Sequence, residues 1–114
     1  YLKPVVLELG GKAPLLVLDD ADIDAAVAGT VFGAFANSGQ ICMSTERFIV
    51  DETIADAFVS RLAERAAKLP AGDPRGHVVL GSLVSPEVAA KMEAMVADAV
   101  AKGGKVVAGG VRHG

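Results

Sequence analysis

The chain has 114 residues, of which 52% are hydrophobic and 22% charged. That is enough for one domain with a buried core, and too apolar for a disordered segment. Net charge is −3 with a pI near 5.2, and Lys and Arg are scattered, which excludes the basic footprint of a nucleic-acid binder.

A single cysteine excludes a disulfide framework and points to a reducing, cytoplasmic setting. No apolar run is long enough to span a bilayer, so no membrane partner is expected. The mean hydropathy of +0.44 points to buried strands and to surface meant for a partner. The chain opens inside an apolar run and stops at GGVRHG, and so reads as a piece of a longer protein.

In chain order, residues 4–9 (PVVLEL) read as a buried strand punctuated by Gly10-Gly11. Residues 14–18 (PLLVL) form a second apolar run of strand length. Asp20 is the expected N-cap of the first helix, with Asp22 and Asp24 complementing its dipole. Ile23, Val27, Val31 and Phe35 recur every four residues on one face, and Asn37-Ser38-Gly39 ends the helix.

Residues 47–50 are a third strand, and Asp51 can cap the helix after it. Ile54, Phe58, Leu62, Ala66 and Leu69 mark that helix's apolar stripe, opposite Asp56, Arg61, Glu64 and Arg65. PAGDPRG at 70–76 is a loop, and residues 78–83 are a weak strand. Ser85-Pro86-Glu87 starts a third helix, with Val88, Met92, Met95, Val96 and Val100 on its buried face. Gly103-Gly104 stops it before a last strand at 105–108. Strands alternating with helices give an α/β fold, layered, with a mostly parallel sheet flanked by helices.

Two residues stand out chemically. Cys42, in NSGQICMST, fits either a small buried hydrophobe or a nucleophile on a sharp turn after a helix, where nearby N–H groups could meet an oxyanion. Glu8 breaks the apolar run VVLEL. It fits either a solvated position of an edge strand or a general base raised toward neutrality by partial burial. Asp19, Asp20, Asp22 and Asp24 read as a capped helix start rather than a metal cluster. Met92 and Met95 read as core filler. Glu46 and Arg47 read as a structural ion pair. His77 and His113 lie in loops, so no metal site is expected.

LELGGK at residues 7–12 and GQIC at 39–42, with Glu8 and Cys42 thirty-four residues apart, together resemble the two signature motifs of the NAD(P)-dependent aldehyde dehydrogenase superfamily. LPAGDPR at 69–75 and KGGKVVAGG at 102–110 match further segments of it. GQICMSTER also looks like the branch that oxidises aromatic aldehydes such as benzaldehyde, vanillin and salicylaldehyde.

The resemblance implies that Cys42 attacks a small-molecule aldehyde to give a thiohemiacetal. Collapse expels hydride to the nicotinamide of NAD or NADP and leaves a thioester, which a water activated by Glu8 hydrolyses. It implies that the Cys42 N–H forms half of the oxyanion hole, that Ile41 and Met43 touch substrate, and that Leu9 and Gly10 lie beside the nicotinamide. It further implies that residues 1–9 are the last strand of the cofactor-binding domain and 10–114 the first part of the catalytic domain. The parent would be a homo-oligomer, and the isolated segment inactive or nearly so.

Most of a dinucleotide site is expected elsewhere, because Gly10-Gly11-Lys12 is not a G-x-G-x-x-G opening a helix. The rival reading is a non-catalytic module that self-associates through an unpaired strand edge. A third is a thiol redox protein using Cys42 alone.

Overall fold

The computed structural model describes residues 2–113. Strand β1 (Pro14–Val17) pairs in parallel with β2 (Arg47–Val50), Pro14 opposite Arg47 and Val17 opposite Val50. Parallel neighbours need a long crossover, and helix α1 (Ile23–Phe35) supplies it. Helix α2 (Glu52–Ala67) follows β2 directly, and α3 (Pro86–Ala101) comes after a loop.

The core lies between one face of this two-stranded sheet and the inner faces of α1 and α2. Val17, Val27 and Phe58 are fully buried there, ringed by Leu15, Ile23, Val31, Val50, Ile54 and Leu62. The fourfold spacing of the helix stripes and the twofold alternation of the strands put these side chains on facing surfaces. Alternation also sends Leu16 and Ile49 to the opposite face of the sheet, where both are exposed.

Local signals account for the helix starts. The Asp22 carboxylate accepts from the Ala25 N–H at 3.0 Å and caps α1. The expectation of Asp20 as the cap is therefore corrected by two residues. The Ala21 N–H donates to the Leu18 carbonyl at 3.0 Å, so Asp20 sits inside a turn rather than at a helix mouth. Asp51 caps α2 by accepting from the Thr53 hydroxyl at 2.6 Å and its N–H at 2.9 Å. These two bonds, the hydroxyl's foremost, hold Asp51 below the ordinary carboxylate range. Ser85 caps α3 through the Val88 N–H, with Pro86 in the first turn.

Several non-local expectations fail. Residues 4–9 and 105–108 are not strands, and 78–83 contribute only a bridge between Ala71 and Leu80. A strand is defined by its hydrogen-bonded neighbour, and these apolar runs find none among the described residues. Helix α3 buries no residue. Val88 and Val96 are half-buried, whereas Met92, Met95 and Val100 are exposed. Glu46 pairs with Lys12 rather than with Arg47, since consecutive strand residues point to opposite faces.

The accessible surface, 8848 Å², is well above the roughly 5,800 Å² expected of a closed domain of this mass. The radius of gyration is 16.4 Å, against about 13 Å for a compact chain of this length. Much apolar surface is therefore uncovered. No helix among the described residues is long and apolar enough to cross a membrane.

Candidate active site

The path from α1 into Cys42 is set by an unusual run of backbone angles. The helix ends when Ala36 turns extended at φ −53°, ψ 133°. Asn37 (φ 50°), Ser38 (φ 56°) and Gly39 (φ 72°) then follow one another in left-handed conformation. Only glycine adopts this region freely. Each L-residue there costs about 1–2 kcal/mol, and asparagine is the better tolerated of the two.

Local bonds hold the shape of this turn. The Gln40 N–H donates to the Asn37 carbonyl at 3.1 Å, and the Asn37 amide Nδ2 donates to the Gln40 carbonyl at 3.2 Å.

A second turn follows at once. The Ser44 N–H donates to the Ile41 carbonyl at 3.0 Å, placing Cys42 and Met43 at its two central positions. Cys42 is exposed, and so are its neighbours Ile41 and Met43. The sequence left open a buried space-filler or a thiol on a bend, and the exposed turn favours the second. Among the described residues the Cys42 N–H has no protein acceptor, which leaves it free to bind an oxyanion.

Beyond the turn the chain is anchored again. Ser44 is buried, and the Thr45 N–H donates to the Gly33 carbonyl at 3.0 Å. A Cβ added to Gly33 would lie 2.8 Å from the Thr45 hydroxyl, so a side chain there would push this segment off α1. The Ser44 hydroxyl and the Thr30 hydroxyl are both buried without a hydrogen-bond partner among the described residues.

The first motif runs beside this turn. A Cβ on Gly11 would sit 4.0 Å from the Cys42 carbonyl oxygen. The Glu46 N–H donates to the Ala13 carbonyl at 3.1 Å, and Lys12 pairs with Glu46. The two signature stretches are thus neighbours in space, Glu8 lying within about 11 Å of Gly11 along an extended backbone.

The Glu8 side chain itself is exposed and makes no hydrogen bond to Cys42, and the partial burial expected of it is not found. Leu9 is exposed, and Gly10, at φ 83°, has open space where a Cβ would be. Loop, α3 and tail residues enclose a separate groove of about 860 Å³ that neither Cys42 nor Glu8 lines. Among the described residues no group of three or more His, Cys, Asp or Glu could hold a metal ion.

Sequence reasoning missed the residues that brace the turn. Ser38 accepts from the Gly81 N–H, and Gln40 bonds to Ser82 and Val84. Their partners lie more than forty residues away, and the only local signal was the polar Asn-Ser-Gly-Gln run itself.

The chain matches the aldehyde dehydrogenase family over residues 1–114. It is 58% identical to a vanillin dehydrogenase from Pseudomonas fluorescens, aligned over the whole chain and 24% of that protein. It is 55% identical to a salicylaldehyde dehydrogenase from Pseudomonas putida, with the same coverage. Its backbone superposes on the crystal structure of a salicylaldehyde dehydrogenase from Pseudomonas putida G7, complexed with salicylaldehyde. The TM-score is 0.91 at 54% identity, covering 96% of this chain and 23% of that one. The chain spans about a quarter of the length of these relatives. The α/β layering and the paired motifs agree with this match along the full sequence, and the chain belongs to the aldehyde dehydrogenase family.

Proposed function

We propose that these residues carry the nucleophile of an enzyme that oxidises an aldehyde to a carboxylic acid with NAD or NADP, in the cytoplasm. The observation that carries this reading is the exposed Cys42 turn lying beside Gly11, with the Cys42 N–H unpaired among the described residues. An aromatic aldehyde is the favoured substrate, supported by relatives named for vanillin and salicylaldehyde.

Cys42 adds to the aldehyde carbon, and its own N–H holds the resulting oxyanion. Ile41 and Met43, exposed on either side of the sulfur, give the aldehyde an apolar bed. Glu8 then takes a proton from the water that hydrolyses the thioester. The open backbone at Leu9 and Gly10 leaves room for a flat ring and would flank the nicotinamide. When bound, that cofactor supplies the hydride acceptor.

Within the whole enzyme, residues 1–9 would complete the cofactor-binding domain as its last strand once a neighbouring strand pairs with them, and 10–114 would begin the catalytic domain. The exposed Val5, Val6, Leu7 and Leu9 support this, since such a run needs partner strands to cover it. The cover comes from the rest of the enzyme chain and from its homo-oligomer. The same surface also supports the second reading, self-association of a non-catalytic module. Among the described residues nothing shields Glu8 from water, so the isolated chain is inactive.

The test is a chimera in which these residues replace the matching quarter of the Pseudomonas putida enzyme. Glu8→Gln should still acylate in a rapid burst, then turn over benzaldehyde about 10²–10⁴-fold more slowly. Unchanged steady-state turnover would remove Glu8 from the mechanism.

A further inference from the structure

We propose that Gln40 is the positioning residue of the Cys42 turn, acting as a two-ended clamp onto residues 82–84. Its Nε2 donates to the Ser82 carbonyl at 3.4 Å, and its Oε1 accepts from the Val84 N–H at 3.1 Å. A primary amide offers a donor and an acceptor side by side, the pair that a neighbouring strand would otherwise present. The Ser38 hydroxyl adds a third bond by accepting from the Gly81 N–H at 3.1 Å. Residues 38–40 are thereby tied to residues 81–84.

The need for such a clamp comes from the backbone. Asn37 and Ser38 hold left-handed angles, and strain of that kind persists only where the surroundings over-determine it. The bonds between Asn37 and Gln40 fix the shape of the turn but not its direction. Direction is supplied by the side chains of Ser38 and Gln40, and Cys42 follows two residues later. The Thr45–Gly33 bond anchors the far end, so the thiol is carried on a segment braced from both sides.

Glutamate in place of Gln40 would keep the acceptor for Val84 but set a carboxylate oxygen against the Ser82 carbonyl. Alanine would lose both bonds. The catalytic meaning of the clamp rests on Cys42 being the nucleophile, but its physical test does not.

Amide hydrogen exchange on the 114-residue chain, read by two-dimensional NMR, gives that test without turnover. In the wild-type chain the Val84 and Ser44 N–H groups are both expected to be protected. Gln40→Ala should abolish protection at Val84 and speed exchange at Ser44, whose bond closes the Cys42 turn, by about tenfold. Gln40→Glu should retain Val84 protection and restore part of Ser44's, a graded rescue that a mere change in overall stability would not produce.

Three outcomes would overturn the proposal. Val84 could lose protection while Ser44 is unchanged, leaving Gln40 as an anchor for the 82–84 loop only. Protection could fall equally across β1 and β2, making Gln40 a general stabiliser. Or Val84 could exchange freely in the wild-type chain. Loss of aldehyde oxidation in a Cys42 variant bears on the nucleophile reading and leaves these exchange results intact.

Discussion

Helices α2 and α3 look alike in sequence and part company in the structure. Both are 16 residues long, both start on a side-chain cap, and both carry an apolar stripe at helical spacing. Yet α2 buries Phe58 against β1 and α1, whereas α3 buries nothing and makes no substantial contact with the sheet or with either other helix. Caps and periodicity create a helix from within. Burial requires a partner surface, which the parallel β-α-β-α unit provides for α2 alone. The exposed Met92, Met95 and Val100 on α3, like the exposed Leu16 and Ile49 on the outer sheet face, are apolar surface left uncovered among the described residues.

Substitutions at matched places can break this contrast. Phe58→Ala should cost about 3–5 kcal/mol in a denaturant titration, enough to unfold a domain of marginal stability. A small loss there would mean that the buried cluster is not the seat of stability.

Ser85→Ala should cost about 1 kcal/mol, seen as lost helix content confined to α3. A global transition shifted by that change would mean α3 is coupled to the core after all. Thr30→Val removes a buried, unpartnered hydroxyl at nearly constant shape, and should raise stability by about 1 kcal/mol.

Acid sharpens the comparison differently. Asp51's folded pKa lies below its unfolded value. Its contribution is therefore complete above the ordinary aspartate range, about pH 4, and fades as pH falls through the lower folded value. Asp51→Asn should flatten that part of the acid-unfolding profile. The smallest effect belongs to Met95→Ala, an exposed position on α3 expected to change stability by no more than about 0.5 kcal/mol.

What the sequence reveals follows the reach of each interaction. The bounds of β2, the Asp51 and Ser85 caps and the Gly103-Gly104 stop of α3 were readable, because a cap speaks to residues two or three positions away, whereas the stripe drawn through Leu69 overran α2, which ends at Ala67. The run PVVLEL has a strand's composition but forms no strand, because pairing is a property of two segments and it finds no neighbour among the described residues. The N-cap of α1 slipped from Asp22 to Asp20 because four aspartates compete within six residues and only the Leu18–Ala21 turn decides among them.

At the candidate site the pairing of LELGGK with GQIC was visible as a motif, and the approach of Gly11 to the Cys42 carbonyl gives it physical content. The exposure of Glu8 was one of two readings left open, and the Gln40 clamp was not visible. One depends on what covers the arm at residues 2–9, and the other on contacts across more than forty residues.

The most direct test of the account is steady-state oxidation of salicylaldehyde by the chimera, with Cys42 present and with Cys42→Ala. The expected result for Cys42→Ala is a loss of at least about 10³-fold in kcat, with cofactor binding retained. Turnover within tenfold of the parent chimera would contradict it.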